Sequence, residues 1–205
     1  MTTPDIKRLI ELQSLLLKFQ AVERHTRNPD TQRRENDVEH SYHLAMAAWF
    51  LAPHFNLDKD KTIRVALVHD LVEIYAGDTF AFADEADIAT KDTREQKALA
   101  QLHQEIADFP EVLECIEDYK HKGSEEAKFV YALDKIMPAI MNYLAKGGGW
   151  RANKVTIERF RAEKEKKIPR DSPMYPYYTE LLAMLRETPE YFHTEDATDS
   201  PSQQR

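Results

Sequence analysis

Apolar positions recur at helical spacing through most of this chain. Ile6, Leu9, Ile10, Leu12, Leu15, Leu16, Phe19 and Val22 predict a helix over residues 5–23. The pattern stops at residues 24–34, a polar stretch with an Asn28-Pro29-Asp30 turn signal, which reads as a loop. Val38, Tyr42, Leu44, Ala45, Met46, Trp49, Phe50 and Leu51 predict a second helix over 36–53. Asn36 or Asp37 is a good N-cap for it, and Pro53 ends it. A third helix starts at Asp58-Lys59-Asp60 and runs through an apolar stretch until Gly77 breaks it.

Residues 79–91 show no firm period and read as a loop or lid with a short helix. Helices follow over 92–107 and over 110–120, with Pro110 in the first turn of the latter. Gly123-Ser124 opens a long apolar helix to about Lys146, which Pro138 should kink. Gly147-Gly148-Gly149 ends it. A charged helix over 151–167 and a last helix over 174–187 complete the pattern. The expected domain covers 1–190, and the polar tail 191–205 is expected to be disordered.

Composition supports this picture. Five glycines in 205 residues, with abundant Leu, Ala, Glu and Lys, favour an all-α fold, and the length suits one domain. No apolar run reaches the roughly eighteen residues of a membrane span. The N-terminus lacks a signal peptide's basic and apolar regions, and the single Cys115 has no internal partner. Both point to a reducing cytoplasm. The net charge of −8 gives no wide basic surface for long nucleic acid.

The chemistry concentrates in His69-Asp70-Leu71-Val72-Glu73-Ile74-Tyr75-Ala76-Gly77-Asp78. Apolar neighbours would bury these charges, and buried charges need partners. A divalent metal would supply one, since imidazole and carboxylate suit Zn, Mn, Co or Fe. On a helix, His69, Asp70 and Glu73 would share a face, with the third group free to act as general acid or base. The alternative is a surface pair or a satisfied hydrogen bond. Further ligand candidates are His40, near the start of the second helix, and Asp134, the carboxylate of the long helix nearest its apolar face. The loop arginines Arg24, Arg27, Arg33 and Arg34 can hold a phosphate or can simply be solvated. His43, His103 and His121 have no clear role.

The order His40, His69-Asp70, Asp134 resembles the HD superfamily of metal-dependent phosphohydrolases. The flanking words Glu35-Asn36-Asp37-Val38-Glu39-His40-Ser41 and Glu126-Ala127-Lys128-Phe129-Val130-Tyr131-Ala132-Leu133-Asp134-Lys135 resemble the branch of the bacterial 5′-deoxynucleotidases and their eukaryotic relatives. The likeness spans roughly residues 8–146, and the C-terminal sixty residues add little.

The resemblance implies a helical HD-domain bundle with additional C-terminal helices. It implies one divalent ion (Mn, Co, Mg, Zn or Fe) on His40, His69, Asp70 and Asp134. It makes Glu73 the catalytic carboxylate and gives Asp78 a part in orienting water or substrate. It also implies a phosphate-binding arginine after the first helix, for which Arg24 matches best and Arg27 and Arg33 are rivals. His25 stands where the deoxynucleotidases carry a tryptophan near the sugar, which leaves the sugar preference open. The implied reaction is hydrolysis of nucleoside 5′-monophosphates, and the implied assembly is a homodimer. The alternatives are an HD enzyme for triphosphates, alarmones or cyclic dinucleotides, an HD-type di-iron oxygenase, and a non-catalytic binding protein.

Overall fold

The computed structural model describes residues 3–194. Its order is α1 (Ile6–Gln20), β1 (Glu23–Arg27), β2 (Arg34–Asn36), α2 (Asp37–Leu51), α3 (Lys59–Val68), α4 (Glu73–Ala76), α5 (Glu85–Glu105), α6 (Pro110–His121), α7 (Glu125–Leu144), α8 (Gly148–Ala152), α9 (Ile157–Lys167) and α10 (Tyr175–Arg186). Short 3-10 turns cover Ala52–Phe55 and Pro189–Tyr191. The fold is mostly helical, as composition predicts. Among the described residues no helix is long and apolar enough to cross a membrane.

Short polar side chains set the helix starts. Asp5, Asp58, Asp84, Ser124 and Thr156 each accept a backbone N–H of their helix's first turn. Asn36 and Glu39 form a full capping box on α2. These caps correct two predicted boundaries. Asp84 starts α5 eight residues before Asp92, so much of the expected lid is helix. Thr156 starts α9 five residues after the predicted start at 151, and Gly148–Ala152 forms the separate short helix α8.

Two further differences shape the site. Residues 24–34 form an antiparallel hairpin, not a loop, with Glu23 opposite Asn36 and Arg27 opposite Arg34. Asn28 Oδ1 accepts the Asp30 and Thr31 amides at its turn. Strand alternation then buries Arg24 and Thr26 and turns Glu23 outward. The third predicted helix also stops early, at Val68. Residues 69–72 turn more tightly, with Leu71 N–H donating to Val68 O and Glu73 N–H to Asp70 O. Gly77, at φ 73°, ends α4 as expected.

The apolar residues make two clusters. The larger joins α2, α3, α7 and the C-terminal helices through Leu44, Val65, Phe129, Leu133, Phe160 and Leu185. The smaller joins α1, the 71–76 segment, α5 and α6 through Phe19, Leu71, Val72, Leu102 and Ile116. Helix α7 is buried along most of its length and runs on through Pro138. The predicted core face of α1 is only partly realised. Leu15 and Phe19 are buried, but Ile6, Leu9 and Ile10 are exposed among the described residues.

The domain also extends past its predicted limit. Phe192 is buried and stacks on Trp150 with ring centroids 4.5 Å apart. Residues 191–194 therefore do not belong to a disordered tail, and the rest of that predicted tail lies outside the described residues. Trp150 also meets Phe160 edge-on at 5.2 Å. Trp150→Ala should lower unfolding free energy by about 3–5 kcal/mol in denaturant titration. An unchanged midpoint would mean that the C-terminal helices do not share the stability of the main core.

Candidate metal centre and its cavity

Three segments deliver the four central side chains. His40 comes from the first turn of α2, His69 and Asp70 from the tight turn after α3, and Asp134 from the middle of α7. Each offers a donor atom, and all these atoms lie within 4.8 Å of one another. His40 Nε2 is 2.9 Å from Asp134 Oδ1, and His69 Nε2 is 2.9 Å from Asp70 Oδ2. The cross distances are 3.9 Å from His40 to Asp70 and 3.7 Å from His69 to Asp134.

The donor chemistry fits a divalent ion. His69 Nδ1 donates to Ala66 O at 2.9 Å, which leaves Nε2 as the ligand nitrogen. That Nε2 is buried and has no well-aligned hydrogen bond. A buried polar atom without a partner costs free energy, and an ion would satisfy it. Two imidazoles and two carboxylates balance a double positive charge. The outer contacts hold the ligands still. Tyr119 Oη donates to Asp134 Oδ2 at 2.8 Å, and Lys135 Nζ reaches the same oxygen at 2.5 Å.

A second group adjoins the first. Arg24 Nη1 donates to Asp37 Oδ1 and to Asp70 Oδ2, both at 2.8 Å, and lies 3.7 Å from Glu73 Oε2. All of this is sheltered, with Asp37 fully buried and Glu73 5% exposed. Burial, reinforced by Asp70, pushes the Glu73 carboxyl well above its ordinary range. Burial also raises Asp37, to about 7, against the pull of Arg24. Asp70 goes the other way: burial would raise it, but His69 and Arg24 hold it far below the usual carboxylate range. Burial and Arg24 lower His40. For His69 burial is outweighed by Asp70 and Asp134, and the imidazole is held up to about 9.

These groups open onto a cavity of about 380 Å³. Arg24, His25, Asp70, Glu73, Asp78 and Asp134 line its polar side, and Phe80, Phe82, Pro138 and Phe160 its apolar side. Its volume falls within the usual range for small-molecule sites. His25 stacks on Phe80 at 4.5 Å, and its Nδ1 is 3.2 Å from Asp78 Oδ2.

The structure therefore brings together the four expected ligands, Glu73, Asp78, Arg24 and His25. It does not bring Arg27 or Arg33. Arg27 donates to Gln32 O in the hairpin turn, and exposed Arg33 pairs with Glu39. His43 is turned to Glu35 at 3.2 Å, and His103 makes an exposed pair with Glu117. Three residues escaped the sequence reading. Asp37 passed as a helix cap, although it sits in the word before His40. Lys135 follows Asp134 directly and was not singled out. Tyr119 gave no signal. The C-terminal region, which adds little to the sequence resemblance, supplies Phe160, Lys164 and Lys167 to the cavity.

Comparisons with known proteins bear on the family and the fold. The family model for the HD domain matches residues 16–175. The human 5′-deoxynucleotidase HDDC2 is 37% identical over 108 residues, which is 52% of this chain and 52% of that protein. Its Xenopus laevis counterpart is 38% identical over 106 residues, 51% and 52% of the two chains. The chain thus spans about half the length of the curated relatives it matches. The crystal structure of a "predicted metal-dependent phosphohydrolase" from Magnetospirillum magnetotacticum superposes with a TM-score of 0.72 at 31% identity, covering 91% of this chain and 96% of that one. A conserved hypothetical protein from Pyrococcus furiosus, 22% identical with a TM-score of 0.62 over 87% and 99% of the two chains, shares the fold.

A pH test of the centre follows from His69. In the metal-stripped protein its folded pKa of about 9 exceeds the ordinary 6.5. Its contribution to stability is then fully present below pH 6.5 and is lost as pH rises through about 9. The thermal midpoint of metal-stripped wild type should converge on that of His69→Asn across this window. Saturating Mn or Zn should restore the wild-type margin, because the ion needs the neutral imidazole. A margin indifferent to pH and to metal would remove His69 from the ligand set.

Proposed function

Because the chain belongs to the HD-domain family, we propose that it is a divalent-metal-dependent phosphohydrolase that converts nucleoside 5′-monophosphates to nucleoside and phosphate. The observation that carries this reading is the joining of His40, His69, Asp70 and Asp134 to a buried Glu73 and Arg24 on one cavity. The 5′-deoxynucleotidase relatives support the substrate class. His40, His69, Asp70 and Asp134 would hold the ion, drawn from Mn, Co, Mg, Zn or Fe. When bound, such an ion neutralises phosphoryl charge as a Lewis acid and makes water more acidic.

The chain's own groups do the rest. Glu73 moves a proton between water and the leaving 5′ oxygen, a task suited to a carboxyl with a raised pKa. Arg24 binds phosphate. Its Nη1 is held by Asp37 and Asp70, and no described protein acceptor takes its Nη2, which leaves that end of the fork for a substrate oxygen. Asp37 thus fixes the arginine rather than the substrate. Asp78 orients His25, and the His25–Phe80 stack forms the wall against which a sugar or base lies. Lys135 and Tyr119 fix Asp134.

The cell context belongs to the same proposal. A homodimer is supported by the apolar residues that α1 and α2 leave exposed, among them Leu9, Ile10, Tyr42, Met46, Trp49 and Phe50. A cytoplasmic location is supported by the lone, unpaired Cys115 and by the nucleotide substrate.

The test is phosphate release from ribo- and deoxyribonucleoside 5′-monophosphates, with each metal added back to stripped protein. Metal-dependent release is expected, and none with any metal would end the proposal. Glu73→Ala should keep its metal and lose about 10²- to 10⁴-fold in kcat. Arg24→Met should raise KM about tenfold or more, as expected for loss of a charge-assisted hydrogen bond. A wild-type KM would free Arg24 from the phosphate role.

A further inference from the structure

Lys164 is the cavity's unexplained cation. It projects from α9, is 6% exposed, and lines the same cavity as Asp70, Glu73 and Asp134. The other sheltered basic groups there have acidic partners. Arg24 has Asp37 and Asp70, Lys135 has Asp134 at 2.5 Å, and half-exposed Lys91 has Glu95 at 3.4 Å. Lys166 and Lys167 also line the cavity but are exposed to water. Among the described residues no carboxylate lies within 4.0 Å of Lys164 Nζ, and no acceptor takes a hydrogen bond from it; the Phe160 ring centroid is 5.8 Å away.

A sheltered ammonium with no hydrogen-bonded counter-ion is costly. Burial, with Lys135 acting in the same direction, outweighs the opposing charges of Asp134 and Glu163 and lowers the Lys164 pKa to about 8. A lysine that only filled space would be replaced without loss by an apolar residue. Here it stands in the lining of a cavity that also holds Phe82, Phe160 and the acidic centre, where a small anion would meet it. The shape and charge of the place match a phosphate oxygen, which accepts strong hydrogen bonds from ammonium groups.

We propose that Lys164 is a substrate-binding residue whose ammonium takes a phosphate oxygen of the ligand in this cavity. This deepens the phosphohydrolase reading and rests on it. With a nucleoside monophosphate the oxygen belongs to the phosphate that is cleaved; a second phosphate would mean a di- or triphosphate substrate for the same centre. Either source makes helix α9 part of the binding site.

The experiment measures binding without turnover. Inorganic phosphate and pyrophosphate are titrated calorimetrically into the metal-loaded full chain, as wild type, Lys164→Met, Lys164→Gln and Lys164→Arg. The methionine keeps the apolar stem, and thermal midpoints confirm that each variant is folded. Lys164→Met and Lys164→Gln should weaken binding about tenfold or more, while Lys164→Arg keeps most of it. Equal weakening of both probes assigns Lys164 to the cleaved phosphate. Weakening of pyrophosphate alone assigns it to a second phosphate. Binding of both probes to the methionine and glutamine variants within twofold of wild type overturns the proposal. A wild type that binds neither probe overturns it too. A chain that binds phosphate through Lys164 but hydrolyses no nucleotide would sink the proposed reaction and leave this residue's role standing.

Discussion

Everything at the site depends on ionisable groups withdrawn from water between packed helices. His40, His69, Asp134 and Asp37 are each buried, and Arg24 and Glu73 nearly so. Isolated, such charges would neutralise or drag in solvent. Together they form a chain of compensation. Arg24 answers Asp37 and Asp70, Lys135 answers Asp134, and the histidines stand beside Asp70 and Asp134. Asp70 is the shared member. Its carboxylate faces the arginine of one group and the imidazoles of the other, so neither group is independent of it. Breaking such a network is expensive because each removal leaves another charge unpaired.

The sequence disclosed the parts of this arrangement that depend on local pattern. Helical periodicity found α2, α6, α7 and α10 nearly to their ends, although α2 leaves Tyr42, Met46, Trp49 and Phe50 of its apolar positions exposed. The ligands were visible because charged residues stood where a buried stripe should be apolar, and because their order matched a known family. The geometric reason given for His69, Asp70 and Glu73 was only partly right. They come together through a tight turn followed by α4, not on the face of one continuous helix.

What escaped depends on contacts distant in sequence. The hairpin that aims Arg24 inward looks polar because its strands are short and only Arg24, Thr26 and Glu35 are buried in them. Asp37 reads as a cap until the arginine thirteen residues earlier is seen to reach it. Lys164 sits in a helix so charged that one buried lysine cannot be told from its neighbours. Only the packing of α9 over the cavity singles it out.

The two apolar clusters meet at this centre. Leu71, Val72 and Ala76, which flank Asp70 and Glu73, belong to the smaller cluster, whereas Leu133 and Ile136, which flank Asp134, belong to the larger. An ion bound by these side chains would be a rivet between two packing units. Stripping it would slacken the seam and leave α6, whose Tyr119 reaches Asp134, as the remaining bridge between the two clusters. A cell's metal supply would then set how rigid the molecule is and how well it resists proteases, quite apart from its chemistry.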